Sequence, residues 1–414
     1  MKLARTLAFV GLLIVLWAFG FFWRDLHQGQ LPSSRAIAMA FGGSSSARLN
    51  PEQLFKQEYS RIASSFYKPI KTKELKYAGM EGLMASLGDP HTMFLVPRVN
   101  ENFALETRAN FVGIGARLSP DPLGARIAVV FDEGPAKRAG LAKDDLITAV
   151  DGISYVGKPV DDLVSKIRGK EGTWVRIGVI KSGESKPRTL TLKRARVFTP
   201  TVEGMYLKES RIGYVMVQSF SQPTAEQFDR EIVKLNEHAL KGLIIDLRGN
   251  PGGLLETAVE MVSRFVENKI VVTMKDRDGG KSSAVSQSGM TLPWPYPVVV
   301  LIDEDSASAA EIFAGCLRDY RKATLVGTHS YGKSSVQEVK ELIDGAGAKI
   351  TIAKYFLPSA EDMSRRVDEN GQYVSGGIHP EIEVKLNDNI QVTLGDVKTD
   401  SQLQRAIQYI LTGQ

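Results

Sequence analysis

The sequence predicts a multidomain protein of mixed α+β and α/β character, and three observations carry that reading. After Thr199 the apolar pattern alternates strand, helix, strand, helix, as a layered α/β domain requires. Within it, residues 243–245 and 298–302 are continuously apolar, as strands covered on both faces must be. Residues 104–196 have another texture, short β-rich runs with a single helical interruption, which marks a separate domain.

Taken in order, residues 6–23 (TLAFVGLLIVLWAFGFFW) are uncharged and long enough to span a bilayer. Lys2 and Arg5 precede them, which favours an inside N-terminus and places the bulk of the chain outside the cytoplasm. No small-x-small cleavage site follows directly, so the segment reads as a signal anchor; a cleaved peptide and a secreted protein are the alternative. Residues 28–48, rich in Gly, Ser and Ala, read as a tether. Apolar residues at helical spacing predict two to three helices over 51–87, ended by Asp89-Pro90-His91-Thr92, where a lone histidine reads as a structural residue of a turn. Strands are expected at 112–118, 126–130, 146–150, 174–180 and 189–193, with a helix at 160–168. In the later half, strands are expected at 212–217, 242–246, 298–302 and 323–326, and helices at 224–239, 254–265 and 309–316. A last helix is expected near 399–412. The resulting division is anchor 1–25, linker 26–50, helical region 51–103, β-rich domain 104–196, α/β domain 197–385 and C-terminal helical segment 386–414.

Composition excludes several classes. With 52 Lys+Arg against 47 Asp+Glu the chain is near charge balance, and its basic residues are interleaved with acids, so nucleic acid is not an expected partner. The single cysteine, Cys316, forms no internal disulfide, and five scattered histidines show no metal-ligand spacing. Neither metal nor cofactor is expected.

In the β-rich domain, Val112, Gly113, Ile114, Gly115 and Ala116 combine a glycine turn with an apolar strand. Such a turn presents backbone N-H groups to a carboxylate, and an edge strand pairs with an extended peptide. The helix at 160–168, with Val164 and Ile167 facing inward, forms the other wall of that groove. With Gly134-Pro135-Ala136-Lys137-Arg138-Ala139-Gly140-Leu141 and Asp144-Asp145-Leu146-Ile147, the segment resembles a bacterial PDZ domain, which implies recognition of C-terminal or exposed apolar peptides.

Two readings compete at Lys333. Gly327 to Ser334 (GTHSYGKS) matches the phosphate-loop pattern GxxxxGK[ST]. The acidic strand ends that would complete such a site, Asp246 and Asp303, precede the loop. The other reading starts at Ser308, on a turn from strand into helix. With Glu311 it forms an S-x-x-E helix cap, which is sufficient as structure alone. As chemistry, a serine there is exposed beside backbone N-H groups able to hold an oxyanion. A neutral lysine activates serine when no histidine is placed to do so, and Lys333 follows Ser308 by one helix and one strand. Gln337 is placed to orient its amine, and the turn Asp246-Leu247-Arg248-Gly249-Asn250-Pro251-Gly252-Gly253 supplies further N-H groups.

Together these blocks, with GMEGLMASLGDPHT and GYVMVQSFS, resemble the carboxyl-terminal processing (tail-specific) proteases, a Ser/Lys family with an inserted PDZ domain. The resemblance spans about residues 59–383. It implies a ββα core like those of ClpP and crotonase, an N-terminal helical arm, Ser308 as nucleophile, Lys333 as base, Gln337 as its orienting partner, and the N-H groups of Gly253 and Ala309 as oxyanion hole. Ala310 and Ser334-Ser335 depart from the commoner residues without removing a catalytic group. Expected partners are proteins with exposed C-termini, an activating partner or adaptor, and a second copy through the helical arms. Arg168 is the candidate relay between the PDZ domain and the catalytic site. The expected location is the bacterial envelope, anchored in the inner membrane. The alternative function is a tethered PDZ adaptor or chaperone with an inactive protease fold.

Overall fold

The computed structural model describes residues 50–342, 344–386 and 395–414. The segment read as a membrane anchor and most of its tether lie outside them. Among the described residues no helix is long and apolar enough to cross a membrane. The described residues fall into two compact units, divided between Ala78 and Gly79. In the first, helix Pro51–Ser65 starts at a reciprocal cap: Asn50 Oδ1 accepts from the Gln53 amide at 2.8 Å and Gln53 Oε1 accepts from the Asn50 amide at 3.2 Å.

The second unit is organised by a six-stranded sheet in the order Val202–Leu207, Ile212–Val217, Gly242–Asp246, Val298–Ile302, Thr324–Gly327, Ile382–Glu383. The first pair is antiparallel and every later neighbour is parallel. Alternate side chains leave a strand on opposite faces. Leu243, Ile245, Val298, Val300 and Ile302 therefore pack into one buried cluster, which includes residues of helices Thr224–Asn236, Leu255–Ser263 and Ala309–Asp319. Ile244, Val299 and Leu301 enter another, closed by Leu403, Ala406 and Ile410 of helix Ser401–Thr412. Burial on both faces is the physical reason residues 243–245 and 298–302 of the two central strands are all apolar. Parallel pairing also brings the C-terminal ends of these strands to one edge, where ligand sites of such sheets gather.

An antiparallel sheet lies beside this core, in the order Met93–Leu95, Gly347–Phe356, Ile270–Asp276, Lys281–Val285, with Ser335–Glu341 also paired to Gly347–Phe356. Residues 116–193 form their own sheet around helix Val160–Ile167, with a separate core containing Ile114, Ile127, Ile147, Leu163, Ile167 and Ile177. The expected strand at 112–118 is two strands. Asn110–Gly113 pairs with Ala195–Phe198, and Ala116–Asp121 pairs with Gly124–Val130. Gly115 makes the break: its φ is +81°, and a Cβ there would lie 2.7 Å from Gly134 Cα.

Candidate active site

Ser308 ends the loop after the central strand Val298–Ile302 and caps helix Ala309–Asp319. Its backbone has φ +57° and ψ −116°, a conformation that L-residues adopt only when the surroundings impose it. Gly252 supplies part of that constraint. A Cβ on Gly252 would lie 2.5 Å from Ala307 O and 2.7 Å from Ser308 Cβ, so only glycine allows the turn at 249–253 to approach the serine. Asn250 stitches the two loops: its side chain donates to Val217 O at 2.6 Å and accepts from the Gly252 amide at 2.8 Å, while its carbonyl accepts from the Ala307 amide at 2.9 Å.

Glu311 then ties the serine to the lysine loop. Its carboxylate is buried, with one oxygen accepting from Ser330 Oγ at 2.6 Å and the Gly332 amide at 2.6 Å. The other accepts from the Ser308 amide at 2.7 Å and the Lys333 amide at 3.0 Å. Burial pushes its pKa up to about 7 despite four donors that favour the charged form. From sequence, Glu311 was visible only as a helix cap; its contacts with residues 330–333 depend on a loop that returns across the fold. On the opposite side the buried Tyr355 hydroxyl donates to Lys333 O and lies 3.3 Å from Ser308 O.

This arrangement removes the phosphate-loop reading. The N-H groups of Gly332 and Lys333 already face a carboxylate, and residues Ser335–Glu341 form a strand where a phosphate loop requires a helix N-terminus.

Ser308, Ala309, Gly252, Gly253, Lys333, Gln337, Lys349 and Tyr355 line one cavity of about 760 Å³. Gly253 is held against Phe220 by a parallel bridge, and its φ of +150° leaves no room for a Cβ, which would lie 2.2 Å from Phe220 O. Burial lowers the Lys333 pKa below the usual lysine range; Lys349 adds to that effect, while Glu311 and Asp89 oppose it. Lys349 is lowered as well, by burial. Among the described residues the Ser308 hydroxyl makes no direct hydrogen bond to the Lys333 amine, and the two residues are joined through Glu311 and Tyr355. Gln337 donates both amide hydrogens elsewhere, to Ser335 Oγ at 2.8 Å and Thr351 Oγ1 at 3.2 Å.

The turn holding the candidate oxyanion amide is anchored from behind. Arg248 pairs with Asp246 and Asp400 at 2.6 Å each, with all three side chains fully buried, and Asp400 also caps helix Ser401–Thr412. Tyr214 and Gln402 complete the set through Asp246 and Arg248. Asp400 lies about 150 residues from its partners, and no local pattern pointed to it.

The PDZ-type residues stand apart from this cavity. Ile114 and Ile167 are buried in the separate core, Val164 is half-buried, and Val112 and Gly113 lie on the ribbon with Ala195–Phe198. The Ile114 and Gly115 carbonyls are taken by the Ala136 and Phe131 amides, and Ala116 opens the next strand. Arg168 does reach the cavity wall. It pairs with Glu106 at 3.3 Å, lies 5.9 Å from the Phe111 ring centre, and all three residues line the cavity.

Comparison with known proteins gives two family matches, peptidase family S41 over residues 211–384 and a PDZ domain over residues 126–181. Among curated relatives, a "Probable CtpA-like serine protease" of Staphylococcus haemolyticus is 33% identical over 306 residues, covering 74% of this chain and 61% of that protein. One of Staphylococcus aureus, under the same name, is 31% identical over 328 residues, covering 79% and 63%. The chain thus spans less than two thirds of these relatives' length. A solved structure assigned to the S41 proteases, from Bacteroides fragilis, matches with a TM-score of 0.51 at 17% identity, covering 80% of this chain and 90% of that one, a likeness of fold.

Proposed function

This chain belongs to peptidase family S41 and carries a PDZ domain, and from that premise we propose that it is a serine endopeptidase using a Ser308/Lys333 dyad. Lys333, in the neutral form that desolvation favours, takes the Ser308 proton, and Ser308 attacks a peptide carbonyl. The amides of Gly253 and Ala309 stabilise the oxyanion, the leaving amine takes the proton, and water releases the acyl-enzyme. The observation that carries this reading is the convergence of Ser308, Lys333, Gly253 and Ala309 on one cavity, with the serine in a constrained turn and the lysine pKa lowered. Gln337 orients the lysine amine.

The PDZ domain captures protein C-termini through residues 112–116, Val164 and Ile167, and gates the cavity through Arg168. The lack of a direct Ser308 to Lys333 hydrogen bond fits a resting site that tightens on substrate. Action outside the cytoplasm, anchored at the envelope, follows from residues 2–23. The test is cleavage of an unfolded protein without added metal or nucleotide. Turnover is expected from the wild type and lost in both Ser308→Ala and Lys333→Ala; undiminished cleavage by either variant sinks the dyad.

A further inference from the structure

The turn Asp89-Pro90-His91-Thr92 has no part in the chemistry above, yet it is wired to Gln337. Asp89 accepts from Thr92 Oγ1 at 2.7 Å and from the His91 amide at 3.0 Å. The Thr351 amide in turn donates to Thr92 Oγ1 at 3.0 Å, and strand Met93–Leu95 pairs with the start of the strand that carries Thr351.

The polarity of this chain follows from counting hydrogens. An ionised carboxylate only accepts, and a threonine hydroxyl has one hydrogen. Burial pushes the Asp89 pKa up, but the nearby Thr351 hydroxyl, the Thr92 hydroxyl and the His91 amide outweigh it and hold Asp89 below the usual range. Thr92 therefore spends its hydrogen on Asp89 and accepts the Thr351 amide through a lone pair, while Thr351 Oγ1 offers Gln337 a lone pair. Gln337 Nε2 meets that lone pair and Ser335 Oγ, which uses both amide hydrogens. The atom left for the cavity shared with Lys333 is Oε1.

We propose that Asp89 and Thr351 are positioning residues that lock the amide of Gln337, so that its oxygen is presented to the Lys333 amine. An acceptor there fixes one N-H of the amine and leaves its lone pair for the Ser308 hydroxyl. The proposal rests on the Ser/Lys reading. The charged and titratable groups that act on Lys333 are Lys349, Glu311, Asp89 and His91, and of these only Asp89 feels the Thr351 side chain.

The experiment measures kcat, KM and the pH profile for wild type, Thr351→Val and Thr351→Ser, with thermal unfolding as a check on the fold. Valine matches threonine in shape but has no hydroxyl, and serine keeps the hydroxyl. Thr351→Val is expected to lower kcat about tenfold, the worth of one hydrogen bond, at little change in KM or unfolding temperature. Its acid limb moves to lower pH, because an ammonium that loses its acceptor gives up its proton more easily. Thr351→Ser stays within about threefold of wild type. In a double-mutant cycle, Asp89→Ala adds less to Thr351→Val than to wild type. A wild-type kcat and acid limb in Thr351→Val, or an equal loss in Thr351→Ser, overturns the proposal. Turnover surviving in Ser308→Ala is a different result and removes the Ser/Lys reading itself.

Discussion

Replacing Glu311 by glutamine separates what its carboxylate does for stability from what it does for catalysis. Each oxygen of Glu311 holds two donors, one from each side of the junction on one oxygen and two from the lysine loop on the other. A glutamine amide keeps one oxygen and turns the other into an NH2, so in either orientation two buried donors lose their acceptor. Each such loss costs about 1–3 kcal/mol. Part of this is returned, because glutamine removes the burial penalty that raises the Glu311 pKa to about 7. Nothing returns the geometry. Whether the freed donors are those at Ser308 and Lys333 or those at Ser330 and Gly332, the lysine loop loses its fixed register against the serine turn. A misplacement worth about 1.4 kcal/mol in the transition state lowers kcat tenfold, so Glu311→Gln is expected to lose at least about tenfold in kcat. The assay is turnover of an unfolded protein beside thermal unfolding across pH. The folded chain holds the Glu311 proton to about pH 7 while the unfolded chain releases it near the ordinary value of 4.5. This group's stabilisation is therefore full below the unfolded value and is lost as pH rises through 7, so the stability margin of wild type over the variant narrows across that window. A kcat within twofold of wild type, with unfolding curves parallel in pH, refutes the reasoning.

Two further outcomes follow from the same geometry. Lys349 lines the cavity and its charge helps to lower the Lys333 pKa, so Lys349→Met raises that pKa and moves the acid limb of kcat/KM to higher pH; a limb that stays in place removes Lys349 from the tuning of the base. Arg248→Met leaves Asp246 and Asp400 buried without their cation, an uncompensated arrangement that costs about 3–5 kcal/mol and should lower the unfolding temperature measured by calorimetry; an unchanged midpoint denies the latch.

The elements legible in the sequence were those whose burial is symmetric or strictly periodic. The strands at 212–217, 242–246 and 298–302 show it, because both faces of the central sheet are covered and their side chains are apolar except where Tyr214 and Asp246 bond to each other. The antiparallel sheet was not legible. Ser335–Glu341 and Gly347–Phe356 read SVQEVKE and GAKITIAKYF, in which lysines, glutamate and threonine interrupt the pattern. Some of those interruptions belong to the site: Gln337 and Lys349 line the cavity, and Thr351 accepts from Gln337. The serine turn and the glycine turn were legible as separate local motifs, since each depends on residues within a few positions of one another. Their joining was not. It depends on Glu311 reaching residues 330–333, on Asn250 reaching Ala307, and on Asp400 reaching Arg248, contacts that local patterns do not encode. The same division explains why a literal phosphate-loop pattern misleads. The pattern records the glycines and the lysine, but the fate of the loop's N-H groups is set by a carboxylate twenty-two residues away from Lys333, and that carboxylate occupies the place an anion would need.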